Sequence, residues 1–148
     1  SGLLGDKPRG IPNNIMPYIN LVASKERVAL NIYGNDYETK DGTGVRDYIH
    51  VLDIAEAHIA GFNYCMKHKG YFFCNLGTGI GVSVLQLIKI YEKKNNLVIP
   101  FEIKGRRKGD VAEIYADPTK ALEILGWQSQ RDIMKMCSDS WKSTKILL

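Results

Sequence analysis

The stretch that most narrows the possible folds is Gly44-Val45-Arg46-Asp47-Tyr48-Ile49-His50, which runs without a breaker into Val51-Leu52-Asp53-Ile54-Ala55-Glu56-Ala57-His58. Ahead of it, Tyr33–Thr43 is a polar loop rich in Gly, Asn and Asp, which tolerate the positive φ and local hydrogen bonding that turns require. Beyond it, apolar residues recur at helical spacing. A turn-rich loop, a short extended run and a helix in direct succession belong to a chain that mixes strands and helices. They also set one arginine, Arg46, at the mouth of the extended run.

The rest of the chain alternates in the same way. Residues 1–13 read as loop, broken by Pro8, Gly10 and Pro12. A helix starts at Asn13 or Asn14, with Pro17 tolerated in its first turn and Ile15, Ile19, Val22 and Ala23 at helical spacing. Lys25-Glu26-Arg27 ends it. Val28–Tyr33 reads as a strand, and Arg46–Val51 as a second short one. Asp53 is the expected N-cap of the next helix, with Glu56 completing a capping box. That helix is apolar on more than one face (Ile54, Ala57, Ile59, Phe62 and Met66 among others), which predicts burial, here against something outside the chain. Gly70–Leu76 is β-like, and Ser83 caps a helix with Val84, Leu87, Ile88 and Tyr91 on one face. Leu97–Lys104 is a strand candidate, Gly105–Gly109 a basic loop and Asp110–Asp117 partly extended. Asp117-Pro118 opens a helix that Gly126 closes, and a last helix from about Asp132 carries Ile133, Met136, Cys137 and Trp141. No repeat or low-complexity tract interrupts this order. The class is α/β, mixed α+β, with short strands and flanking helices. Its 148 residues suit one domain with one core, spanning 1–148.

Composition removes several function classes. Apolar runs fall far short of the ~20 residues of a membrane helix, and no signal-peptide pattern opens the chain. Ser1-Gly2-Leu3-Leu4-Gly5 begins without Met in a Gly/Pro-rich connector, so we expect an N-terminal partner domain to precede it. Cys65, Cys74 and Cys137 are odd in number and widely spaced, which predicts buried reduced thiols in a cytoplasmic protein rather than a disulfide framework or zinc site. The net charge of +4 is mostly dispersed, apart from Lys67-His68-Lys69 and the set Lys104, Arg106, Arg107 and Lys108. With no aromatic stacking platform expected near the second set, a nucleotide-sized anion suits it better than nucleic acid.

Three groups invite a site. Gly77-Thr78-Gly79-Ile80-Gly81 lies between a β-like run and a helix, but its third glycine comes one residue too early for a dinucleotide fingerprint. No acidic residue ends a second strand ~20 positions on, so a structural turn is expected. His50, His58 and His68 lack metal-site spacing and an acidic cluster, and no metal is expected; no G-x-S-x-G turn supports a triad. Arg46, and Arg107 with Asp110 three residues on, have the chemistry for a nucleoside diphosphate. Guanidinium groups pair with phosphate oxygens and a carboxylate accepts from ribose hydroxyls, although the residues alone leave them as surface charges.

Four segments carry a resemblance: Gly10-Ile11-Pro12-Asn13-Asn14-Ile15-Met16-Pro17-Tyr18-Ile19, the loop and Val45–His58 run, Asn75-Leu76-Gly77-Thr78-Gly79, and Arg106-Arg107-Lys108-Gly109-Asp110. In these the chain resembles the C-terminal, substrate-binding portion of the UDP-glucose 4-epimerase family of extended short-chain dehydrogenase/reductases. The resemblance implies that Arg46 and Arg107 contact the UDP phosphates, Asp110 the uridine ribose, Asn14 the diphosphate and Ile15 the substrate backbone. Asn31 and Tyr33 would line the uracil, largely through main-chain groups. Where some members carry a tyrosine four residues after the aspartate, this chain has Ile114, with Tyr115 one place later. The resemblance further implies interconversion of UDP-galactose and UDP-glucose through a 4-keto intermediate, with NAD bound by an N-terminal Rossmann domain, in a homodimer. No tyrosine here has a lysine four residues on, so no catalytic or NAD-binding residue is expected in this chain, and alone it should be inactive. The alternatives are another nucleotide-sugar enzyme of the extended family, a dehydratase or decarboxylase, or a non-catalytic nucleotide-sugar-binding module.

Overall fold

The structure, a computed structural model, describes residues 2–5, 10 and 12–147. The expected breaker Pro8 and the motif residue Ile11 lie outside the described residues. The element order is α1 (Ile15–Ala23), β1 (Leu30–Tyr33), β2 (Val45–Asp47), α2 (Val51–Cys65), β3 (Gly81–Ser83), α3 (Val84–Asn95), β4 (Phe101–Lys104), β5 (Glu113–Ile114), α4 (Thr119–Leu125) and α5 (Ile133–Leu147). β1 and β4 pair in parallel, Leu30 opposite Phe101 through Tyr33 opposite Lys104. In the second sheet β2 is central, antiparallel to β3 and parallel to β5, so the backbone of Arg46 is held from both sides.

The main core lies between α1, β1, α3 and α5. Ile19, Leu30, Ile32, Leu87, Ile88, Tyr91 and Cys137 meet there, fully or almost fully shielded from solvent. On α3 the buried positions fall at the helical spacing foreseen, and the helix starts on a complete capping box: Ser83 accepts from the Gln86 N–H while the Gln86 side chain accepts from the Ser83 N–H. The Tyr91 hydroxyl donates to Asn20 Oδ1 at 2.8 Å, joining α3 to α1 within this core. A smaller cluster of Ala57, Ala121 and Trp127 seats α4 on α2.

Three expectations are corrected. α2 starts at Val51, with His50 rather than Asp53 as its N-cap: the His50 ring accepts from the Leu52 N–H at 3.1 Å. Since that N–H can only donate, Nδ1 is unprotonated, and Nε2 carries the proton toward Asp139 Oδ2 at 3.2 Å. Asp53 is fully buried because it pairs with the Arg131 backbone N–H and guanidinium, while Glu56 binds the same guanidinium at 2.7 Å, so neither makes a capping box. Gly70–Leu76 gains no strand, although residues 71–76 alternate between exposed and half-buried as in one; no described strand lies alongside to complete a ladder. The thiols are also not all buried: Cys137 is, and burial pushes it up to about 12, but Cys65 is exposed. α2 leaves Ile59 and Phe62 in solvent, and Met66, Tyr71 and Phe73 beyond it are exposed too.

Candidate functional site

A cavity of about 280 Å³ opens where the N-terminus of α1, the outer face of β1, the start of β2 and the β4–β5 loop converge. It is just under the ~300–1,000 Å³ usual for ligand sites. Asn14, Ile15, Asn31, Tyr33, Arg46, Arg107 and Asp110, the seven residues singled out in the sequence, all line it. Each has a local reason to be there. Asn14 is the N-cap of α1 but makes no side-chain bond to the helix. Burial alternates along β1, so Leu30 and Ile32 enter the core while Asn31 and Tyr33 stay half-exposed on the other face. The turn carrying Arg107 and Asp110 is closed by the Asp110 N–H donating to the Arg107 carbonyl at 3.2 Å, with Gly109 in the left-handed region.

The site is cationic and partly self-satisfied. Arg46 donates from Nη1 to its neighbour's carbonyl, Val45 O, at 2.8 Å, and its Nη2 lies 3.6 Å from Asp110 Oδ1. The Arg107 guanidinium stacks on the Tyr33 ring, 3.7 Å from its centroid, and this nearby cation holds the Tyr33 phenol below its ordinary value despite the opposing pull of burial. Nothing in the sequence pointed to an aromatic stacking platform beside the basic loop. The fold corrects this, bringing Tyr33 and Tyr37 beneath Arg107 and Arg106 from about 70 positions away in the chain. Both rings are occupied by their arginines.

The loop before β2 is anchored by Asp41. Burial alone would raise its pKa, but bonds from Ser83 Oγ, at 2.5 Å, and from the Thr43 hydroxyl and N–H hold it below the ordinary carboxylate value. The loop is thereby tied to the cap of α3. The glycine-rich turn has a different occupant from the one its wording invites. Asp47 accepts from the Thr78 N–H and hydroxyl, the Gly79 N–H and the Ala116 N–H, so a carboxylate of the chain itself fills the nest of amides. A Cβ at Gly77 would lie 2.5 Å from Asp47 Oδ2. Those residues do not fit a dinucleotide pyrophosphate, which would meet a like charge.

The sequence reading missed Tyr18, Tyr37 and Val84 on the cavity wall. Tyr37 is almost fully buried although it sits in a polar loop, and an aromatic residue among turn formers was the available signal. Ile114 and Tyr115 are exposed and are not among the lining residues. His58 and His68 each bond the carbonyl four residues back, and no group of three metal-ligating side chains occurs among the described residues. No helix among them is long and apolar enough to cross a membrane.

The family model described as GDP-mannose 4,6 dehydratase matches residues 5–140. The UDP-glucose 4-epimerase of Homo sapiens is 50% identical over 145 residues, 98% of this chain and 42% of that protein. That of Bacillus subtilis (strain 168) is 49% identical over 142 residues, 96% of this chain and again 42% of the relative. Among solved structures, the Stenotrophomonas maltophila UDP-glucose 4-epimerase with bound NAD and formylated UDP-arabinopyranose superposes with a TM-score of 0.95 at 44% identity, covering 99% of this chain and 44% of that one. The Bifidobacterium longum enzyme in complex with NAD+ and UDP gives 0.90 at 48% identity, covering 98% and 43%. The chain therefore spans less than half the length of the relatives it matches.

Proposed function

Because the chain belongs to the extended short-chain dehydrogenase/reductases, in the family described as GDP-mannose 4,6 dehydratase, we propose that it forms the UDP-sugar-binding part of a UDP-glucose 4-epimerase. The observation that carries this reading is the convergence of Arg46, Arg107 and Asp110 on one cavity with Asn31 and Tyr33. Arg46 and Arg107 take the two phosphates. Their guanidinium groups offer paired N–H donors on a geometry set by a central strand and by the Tyr33 ring. On ligand entry Arg46 exchanges its loose contact with Asp110 for phosphate oxygen, and the freed carboxylate accepts from the ribose hydroxyls. Asn31 and Tyr33 present the outer edge of β1 to the uracil, Asn14 reaches the diphosphate, and Ile15 packs on the substrate backbone.

NAD would supply the hydride chemistry at the sugar C4. In this reading it is held by an N-terminal Rossmann domain outside this chain, which would cover the exposed apolar face of α2 and residues 71–73. The whole enzyme would be a cytoplasmic homodimer acting on UDP-glucose and UDP-galactose.

Calorimetric titration of UDP, UDP-galactose and GDP into the chain tests the reading. Saturable UDP binding should weaken about 10- to 100-fold in Arg46→Ala and in Arg107→Ala, since a hydrogen bond to a charged partner is worth about 1.5–3 kcal/mol. GDP binding more tightly than UDP would favour the dehydratase alternative. UDP binding that ignores both arginines would overturn the residue assignments.

A further inference from the structure

Arg106 and Arg107 are neighbours in an exposed loop, yet only Arg107 lines the cavity. Arg106 turns to the loop after β1. Its Nε donates to Asp36 Oδ1 at 2.8 Å, its Nη2 donates to the Asp36 carbonyl, and its guanidinium lies 4.3 Å from the Tyr37 ring centroid. Gly34 makes room for this arrangement. It sits at φ +85, and a Cβ there would lie 2.5 Å from Tyr37 Cε2 and 2.9 Å from Arg106 Cγ. Two hydrogen bonds and a stacked ring therefore fasten one long loop to the other, next to where the first delivers Arg46 and the second Arg107 and Asp110.

Resting on the proposed UDP site, we infer that Arg106 is a positioning residue, the pin of a latch with Asp36 and Tyr37 that sets Arg107 and Asp110 at the spacing the nucleotide needs. Residues 105–110 are exposed throughout, so without the latch the loop samples many geometries and ordering it falls to the ligand. The rival explanation is that Arg106 merely adds positive charge near an anion site. The two differ in sign at Asp36. Removing a carboxylate raises anion affinity if charge is what matters, whereas removing a latch partner lowers it.

The test is UDP titration of the 148-residue chain carrying Asp36→Ala, Arg106→Lys or Arg106→Ala, each also in an Arg107→Ala background, with thermal melts to confirm folding. The latch predicts about 5- to 10-fold weaker binding for Arg106→Ala and nearly as much for Arg106→Lys, which keeps the charge but loses the planar fork. It predicts about 2- to 5-fold weaker binding for Asp36→Ala, and Arg106→Ala should cost less than about 2-fold once Arg107 is gone. Tighter or unchanged binding by Asp36→Ala, parent-like binding by Arg106→Lys, or a full additive cost in the Arg107→Ala background overturns the latch. If Arg46→Ala and Arg107→Ala weaken binding while the Arg106 and Asp36 variants do not, the site reading stands and the latch falls. Absence of saturable UDP binding by the folded parent chain overturns both.

Discussion

Replacing Asp47 by Ala should unfasten three segments at once. Its oxygens accept from Thr78 Oγ1 at 2.6 Å, the Thr78 N–H at 3.0 Å, the Gly79 N–H at 3.0 Å and the Ala116 N–H at 3.3 Å. A hydrogen bond to a charged acceptor contributes about 1.5–3 kcal/mol. The four are not additive because they share one carboxylate, and the half-exposed site lets water replace some of them. The net cost is about 2–4 kcal/mol, a large part of the ~5–15 kcal/mol of a small domain. Asp47→Asn should cost about half as much, since its amide oxygen still serves Thr78 while its NH₂ meets a backbone N–H head-on. Urea unfolding followed by circular dichroism reads both: at an m value of ~2 kcal/mol/M, Asp47→Ala lowers the midpoint by about 1–2 M. A loss below ~0.5 kcal/mol for Asp47→Ala would refute the claim that this carboxylate holds the glycine turn to β2.

Further outcomes follow from the same structure. Burial draws the His50 imidazole below its ordinary 6.5, against the opposing pull of Asp139, so its contribution is complete above that value and lost as pH falls beneath it. Urea midpoints should therefore decline as pH falls below about 6.5, and His50→Asn, which keeps an acceptor for Leu52, should flatten that decline. Tyr91→Phe should cost about 1 kcal/mol through the lost bond to Asn20, and Tyr91→Ala about 3–5 kcal/mol through the cavity left in the main core, both read from chemical denaturation. Gly42 sits at φ +78 and a Cβ there would lie 2.1 Å from the Asn35 carbonyl oxygen. Gly42→Ala should thus destabilise by more than about 1 kcal/mol and weaken UDP binding by disturbing the loop that leads to Arg46, measured by melts and calorimetry together.

The sequence disclosed what is decided within a few residues. Ser83 and Gln86 sit three apart and define the start of α3 by themselves; Gly126 ends α4, and Asn14 begins α1. What it concealed is decided by residues far apart. Asp53 looks like a cap until Arg131, 78 positions on, is seen to claim it, leaving the cap to His50. Gly70–Leu76 has the composition and alternation of a strand, but a strand also requires a neighbour. The seven cavity residues were reached through family wording, because nothing local distinguishes Arg46 or Arg107 from any surface arginine. The stacking of Arg106 on Tyr37 and Arg107 on Tyr33 joins segments about 70 positions apart in the chain, and spacing alone gives no hint of it.

The most direct test of the account is a UDP titration followed by NMR of the arginine side-chain Nε–H resonances, assigned with Arg46→Lys and Arg107→Lys. The account predicts saturable shifts concentrated on Arg46 and Arg107, accompanied by the backbone amides of Asn31, Tyr33 and Asp110. Saturable shifts centred instead on Gly77–Gly81, or spread over the basic surface without saturation, would contradict it.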